Sequence, residues 1–185
     1  MSTKGKSRST GLTPMHTIGE GAKKLLDIML EGDQAECPCC SQTCAIYPRG
    51  LYDKMAAWLV FLVRTYEVTG TWVDIKAFPV RGGDYAKLVY WGMAELSPAT
   101  PANKRTSGMW RPTDKGIDFV YHRIQVPSHV LLYNGKVCAV EGTVGVRPAR
   151  EYRGGWCLNR ISIIDALGEK WDYRSLLDWA PGDAA

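Results

Sequence analysis

Four cysteines fall within eight residues of this chain: Cys37, Cys39, Cys40 and Cys44. A thiol cluster this tight grips a metal ion, exchanges disulfides or packs as reduced side chains. Cys37 and Cys40 form a C-x-x-C pair, and Cys44 follows after three intervening residues. Thiolates at that spacing can hold one face of a tetrahedral zinc ion. Cys37, Cys40 and Cys44 are therefore the expected ligands of a structural zinc. Cys39 points away if the other two form a knuckle. A fourth ligand has to come from elsewhere, and Cys138, Cys157, His16, His122 and His129 are all open to the role. Thiol-redox chemistry needs the first cysteine at a helix N-terminus after a strand. Here a helical segment and the polar run EGDQAE precede it, which disfavours that reading. Catalytic zinc is disfavoured too, since no H-E-x-x-H or H-x-E…C-x-x-C pattern is present.

The surrounding composition sets the compartment and the class. The chain has 185 residues, 45% hydrophobic and 23% charged, which suits one soluble domain with a real core. The longest apolar run, MAAWLVFLV, is about half a bilayer span. The N-terminal MSTKGKSRSTGLTP lacks an apolar secretory core, so a cytoplasmic location, away from membranes, is expected. A reducing compartment argues against a disulfide framework and for metal at the cysteines. The net charge is +4, and residues 161–185 are acidic while residues 1–19 are basic. A mild basic bias is compatible with a polyanionic partner. No phosphate-binding G-x-x-x-x-G-K-[ST] loop and no legible catalytic constellation appears, so no enzyme activity is expected.

Hydrophobic periodicity places the elements around the cysteines. Glu20 to Glu31 carries Ala22, Leu25, Leu26, Met29 and Leu30 at helical spacing. Arg49 to Tyr66 reads as the strongest helix, with Leu51, Met55, Trp58, Leu59, Leu62 and Tyr66 on one face. TWVDIKAFPV suggests a short strand and turn. A second helix, over residues 84–96, starts at Asp84, sets Tyr85, Leu88 and Trp91 inward, and can close at Gly92. SPATPANKRTSG reads as a flexible connector. MWRPT reads as a strand, and TDKGIDFVYHRI as a helix capped by Thr113. HVLLY, Asn134-Gly135 and KVCAV make a β-hairpin signal. The tail, SIIDALGEKWDYRSLLDW, suggests a strand and short helices.

The order helix, short strand, helix, strand, basic loop, strand is that of a winged helix-turn-helix. WGMAELSP…SGMWRPTDKGIDFV resembles the recurring winged-helix string in which a glycine ends the recognition helix and a Thr-x-Lys-Gly turn opens the next one. The expected fold class is thus α+β: a winged helix-turn-helix-like core with a cysteine-rich zinc knuckle and an appended β-hairpin. The expected organisation is a basic disordered tail over 1–18 and a winged-helix-like domain over 19–140. That domain includes the knuckle at 36–45 and the hairpin at 129–140. An irregular insertion over 141–160 and an acidic segment over 161–185 follow. In this reading helix 84–96 enters a DNA major groove. Arg81, Tyr85, Lys87, Tyr90, Lys104, Arg105, Arg111 and Lys115 are its expected nucleic-acid contacts. Winged helices also serve as protein-interaction modules, and capture of a protein is the alternative.

GDYAKLVYWGMAEL, RTSGMWRPTDKGIDFV, IQVPSHVLLYNGKV and ISIIDALGEKWDYRSLL also resemble successive blocks of a family of small, mostly uncharacterised bacteriophage-encoded proteins. Those proteins carry a CPxC pair before a helix, an Asp-Tyr-led helix ending in Trp-Gly, and an ALG-FDY tail. The resemblance covers roughly residues 36–140 and 161–178, with 141–160 standing out as an insertion. It implies a phage-encoded protein and is nearly silent on activity; the winged-helix reading supplies the expectation of a non-enzymatic double-stranded-DNA-binding protein or regulator. The alternative to DNA binding is a winged-helix module that binds a host protein of the transcription or defence machinery.

Overall fold

The computed structural model describes residues 11, 17–30, 34–80, 82, 84–99, 106–133, 135–139 and 159–180. The structure is a mixture of helices and antiparallel strands. Contacts divide the chain into two units: residues 1–49 with 129–159, and residues 50–128 with 160–185. The expected boundary near residue 140 is not where contacts divide. The hairpin belongs with the N-terminal segment, and the tail belongs with the central one. The expected basic tail and the insertion lie almost wholly outside the described residues. Among the described residues, no helix is long and apolar enough to cross a membrane.

The first unit opens with α1 (Ile18–Leu30). Thr17 and Glu20 close its N-terminus reciprocally: the Glu20 amide donates to Thr17 Oγ1 at 3.3 Å and the Thr17 amide to Glu20 Oε2 at 2.7 Å. A two-residue strand β1 (Ala35–Glu36) pairs antiparallel with β2 (Thr43–Cys44), Ala35 opposite Cys44. The cysteine segment is thus the turn of a small hairpin, where the sequence suggested only a compact loop. A second sheet runs β3 (Tyr47–Gly50), β8 (His129–Tyr133), β9 (Lys136–Ala139) in spatial order. The expected HVLLY–KVCAV hairpin is β8–β9. Leu25, Ile28, Met29, Ala35, Ile46 and Leu131 form the unit's buried cluster.

The second unit is built round α2 (Asp53–Thr69). Its residues 55–63 are all buried, so α2 is enclosed all round rather than on one face. Ala56, Ala57, Val60 and Val63, off the apolar stripe, are as buried as the stripe itself, because elements from residues 73–120 and from the tail after residue 160 pack around the helix. Gly70, at φ +64°, closes α2 with its amide on the Tyr66 carbonyl at 2.7 Å. There follow β4 (Val73–Asp74), a short 3-10 turn Ile75–Ala77, and a 3-10 helix Asp84–Trp91. Then come β5 (Ala94–Leu96), β6 (Met109–Pro112) and α3 (Asp114–Val120). The sheet order is β4-β6-β5, all antiparallel. β7 (Val126–Pro127) pairs with β10 (Arg160–Ile161), and α4 (Ile163–Leu167) and α5 (Tyr173–Asp178) pack on α2.

The helix expected over 84–96 ends at Trp91. Gly92 adopts φ +67° and the chain turns into β5, whose residues the sequence pattern had assigned to the helix. Trp58 organises the core beneath. Its ring stacks on Tyr85 at 4.7 Å and meets Phe78 and Trp110 edge-on at 5.3 and 5.8 Å. Trp91 donates its indole N–H to the Pro127 carbonyl at 2.7 Å, and Trp179 packs edge-on against Phe61 at 4.8 Å.

Thr113 caps α3 as expected, its hydroxyl oxygen accepting the Gly116 amide at 3.1 Å while the hydroxyl donates to the Gly92 carbonyl at 2.6 Å. This couples the end of the 84–91 helix to the start of α3. A Cβ on Gly116 would stand 2.1 Å from the Met93 carbonyl oxygen, a backbone atom that cannot rotate away. Gly116→Ala should therefore destabilise the protein by about 1–3 kcal/mol, read as a lower urea midpoint with unchanged m-value.

The tail helices are capped by carboxylates. Ser162 and Asp165 form a capping box on α4, and Asp172 accepts the Ser175 amide at 2.7 Å on α5. Hydrogen bonds from Ser162 hold the Asp165 carboxyl below the usual range, and those from Ser175 do the same for Asp172. A folded-state pKa below the unfolded one stabilises above the unfolded value and stops doing so as pH falls through the folded one. Stability should decline as pH falls below about 4, and Asp165→Ala should flatten that decline in acid-unfolding curves.

Candidate functional site

The cysteines sit on a tied turn in the first unit. The Cys37 amide donates to the Gln42 carbonyl at 2.8 Å, and the Ser41 amide to the Cys37 carbonyl at 2.9 Å. Ser41 takes φ +55°, the left-handed conformation that folds the chain back into β2. Backbone amides of Cys39 and Cys40, then the Cys40 thiol, face the Cys37 sulfur and pull its pKa below that of an ordinary thiol. Cys39 and Cys40 are exposed; Cys37 and Cys44 are half-buried, and all four are free thiols. Tyr133, on β8, donates its hydroxyl to Cys44 Sγ at 4.0 Å. Burial, then Cys44, and more weakly Cys37 and Cys40, raise the Tyr133 pKa. Among the described residues, no three His, Cys, Asp or Glu side chains stand closely enough to hold an ion as they are.

The expected nucleic-acid face lies in the second unit. In a 3-10 helix residues three apart are superimposed along the axis. Tyr85, Leu88 and Trp91 form the inward stripe; Asp84, Lys87 and Tyr90 form one outward stripe, and Ala86 and Val89 another. Tyr85 is thus held against Trp58 rather than presented to a partner, and burial raises its phenol pKa. Lys87 is ion-paired to Asp84, one turn earlier. Arg111 is ion-paired to Glu95, directly opposite it in the β5–β6 register, and its guanidinium lies 4.6 Å from the Trp72 ring centroid. Tyr90 is half-buried, Lys115 is exposed and Val89 is 43% exposed. Arg81, Lys104 and Arg105 lie outside the described residues.

The pairing acids escaped the sequence reading. Asp84 and Lys87 are three apart, so their pairing was legible from helical spacing alone. Glu95 with Arg111 was not, because it depends on the β5–β6 register. Tyr133 beside the thiols depends equally on how β8 folds back on the cysteine hairpin. No family model, no curated protein and no solved structure matches the chain.

These placements separate two classes of substitution. Tyr85→Ala removes a ring stacked on Trp58 and should cost about 2 kcal/mol of stability. Lys87→Ala removes half of an exposed ion pair and should cost less than about 0.5 kcal/mol. Equilibrium urea unfolding of the two variants checks the contrast.

Proposed function

We propose that the second unit is a winged-helix recognition module, non-enzymatic, whose partner is a protein rather than duplex DNA. The order α2, β4, the 84–91 helix, β5, connection, β6, with the sheet arranged β4-β6-β5, supports the winged-helix reading. The 84–91 helix takes the place of the recognition helix, and residues 97–108 take the place of the wing.

Charge balance carries the choice of partner. Duplex binding rests on cations free to neutralise phosphates. Across residues 84–116 five bases, Lys87, Lys104, Arg105, Arg111 and Lys115, stand against three acids, Asp84, Glu95 and Asp114; Lys87 and Arg111 are already ion-paired, and Lys104 and Arg105 lie outside the described residues. The unit as a whole holds thirteen Lys and Arg against twelve Asp and Glu. The outward surface of the 84–91 helix is instead weakly apolar, with Ala86, exposed Val89 and Tyr90 beside one compensated ion pair. Such a surface suits a protein partner, where apolar and aromatic contacts at the centre carry the energy. The resemblance to phage-encoded proteins makes that partner a bacterial host protein.

The test is co-purification from nuclease-treated bacterial lysate with the tagged full chain. The expected result is a near-stoichiometric protein retained by the wild type. Val89→Glu should weaken its retention by about tenfold or more, with the circular dichroism of the chain unchanged. A partner lost on nuclease treatment, or one held equally by Val89→Glu, contradicts the proposal.

A further inference from the structure

We propose that Cys37 and Cys40 are a redox-active dithiol, a site that exchanges with small-molecule disulfides such as glutathione disulfide and closes to a Cys37–Cys40 bridge. This goes beyond the docking reading, concerns the first unit alone and stands independently of it. In the sequence, the polar run EGDQAE before Cys37 argues against thiol-redox chemistry. In the fold, the last two residues of that run are strand β1, so Cys37 leaves a strand directly. The chain then makes one closed turn. The Ser41 amide donates to the carbonyl of Cys37, four residues earlier, at 2.9 Å, and the Cys37 amide is held by the Gln42 carbonyl at 2.8 Å. Cys37 thus begins a helical turn after a strand, the setting in which a first cysteine becomes reactive.

The turn also fixes which thiols pair. One helical turn sets Cα atoms three residues apart at about 5 Å, inside the range of about 4.4–6.8 Å that a disulfide spans. Cys37 and Cys40 have that spacing. Side chains two residues apart do not face each other on a helical turn, so Cys39 lends Cys37 its amide and, more weakly than Cys40, its thiol, without closing a bridge. Cys44 is engaged elsewhere: it lies in β2 opposite Ala35, with its sulfur 3.8 Å from the Gln42 carbonyl and 4.0 Å from the Tyr133 hydroxyl. The Cys39 and Cys40 amides, then the Cys40 thiol, favour the thiolate of Cys37, which is half-buried, while Cys40 is exposed.

Exchange takes two steps. The Cys37 thiolate attacks one sulfur of glutathione disulfide; a Cys37–glutathione bond forms, the reagent's S–S bond breaks, and one glutathione thiolate leaves. Cys40, deprotonated in turn, attacks the Cys37 sulfur; the Cys37–Cys40 bond forms and the second glutathione thiolate leaves. Two electrons pass from the protein dithiol to the reagent, and the two thiol protons end on two molecules of glutathione. Excess glutathione runs the same steps backwards.

The test uses the reduced full chain in buffers of glutathione and glutathione disulfide, with free thiols trapped and the loop peptide sequenced by fragment-ion mass spectrometry. Oxidising buffer should remove two thiols from the loop and yield a Cys37–Cys40 bridge, and excess glutathione should restore both. Cys39→Ser should behave as the wild type. Cys40→Ser should stop after the first step, with one glutathione on Cys37. A wild-type loop that keeps its thiols in oxidising buffer overturns the proposal, whether it is simply inert or is held reduced by a metal ion found on elemental analysis. A bridge made by Cys39 or Cys44 instead overturns it, as does a Cys40→Ser chain that carries no glutathione on Cys37.

Discussion

The enclosure of α2 is the constraint on which the second unit depends. A helix buried over nine consecutive residues needs apolar neighbours on every side. Two sequence-distant stretches supply them: the strands and helices between residues 73 and 120, and the tail after residue 160. Trp58 is the point where they meet from the first stretch. Its ring is in contact with Phe78, Tyr85 and Trp110, which come from a turn, a 3-10 helix and a strand. Phe61 takes Trp179 from the tail. Filling those places with aromatic rings fixes the rotation of the 84–91 helix, because Tyr85, Leu88 and Trp91 must all face inward. The outward residues are then decided without further choice.

That rotation also decides which side chains the 84–91 helix turns outward. Once Tyr85 is committed to Trp58, the outward residues of the helix are exposed Asp84 and Val89 with half-buried Ala86, Lys87 and Tyr90. Its only cation is met by an acid three residues before it, and the neighbouring strand pair repeats the arrangement in Glu95 and Arg111. The individual ion pairs are worth little as stabilisers because they are exposed. Their consequence is electrostatic: among the described residues, Lys87 and Arg111 on this face are each met by an acid.

Much of this was legible in the sequence, and the reasons differ from place to place. Helices α1 and α2, the β8–β9 hairpin and the Thr113 cap followed from periodicity, Asn-Gly chemistry and side-chain capping, all of which are local. The inward stripe of Tyr85, Leu88 and Trp91 was legible too, because spacing by three serves a 3-10 helix as well as an α-helix. The end of that helix was misplaced: Ala94–Leu96 is apolar enough to continue it, and only pairing with β6 makes it a strand. The all-round burial of residues 55–63 of α2 was hidden because it depends on the tail's return. The two-unit division was hidden for the same reason, since β8 pairs with β3 rather than with the segment it follows. At the cysteines the sequence suggested a compact loop, while the hairpin around it, the left-handed Ser41 and the approach of Tyr133 required the fold.

The most direct measurement of the central claim is fluorescence anisotropy of a random labelled duplex titrated with the full chain from low to physiological salt. A recognition face whose Lys87 and Arg111 are each met by an acid predicts weak binding with a shallow dependence of log affinity on log salt, unchanged by Lys87→Ala or Arg111→Ala. Tight low-salt binding with a steep slope, made shallower by either substitution, would contradict it.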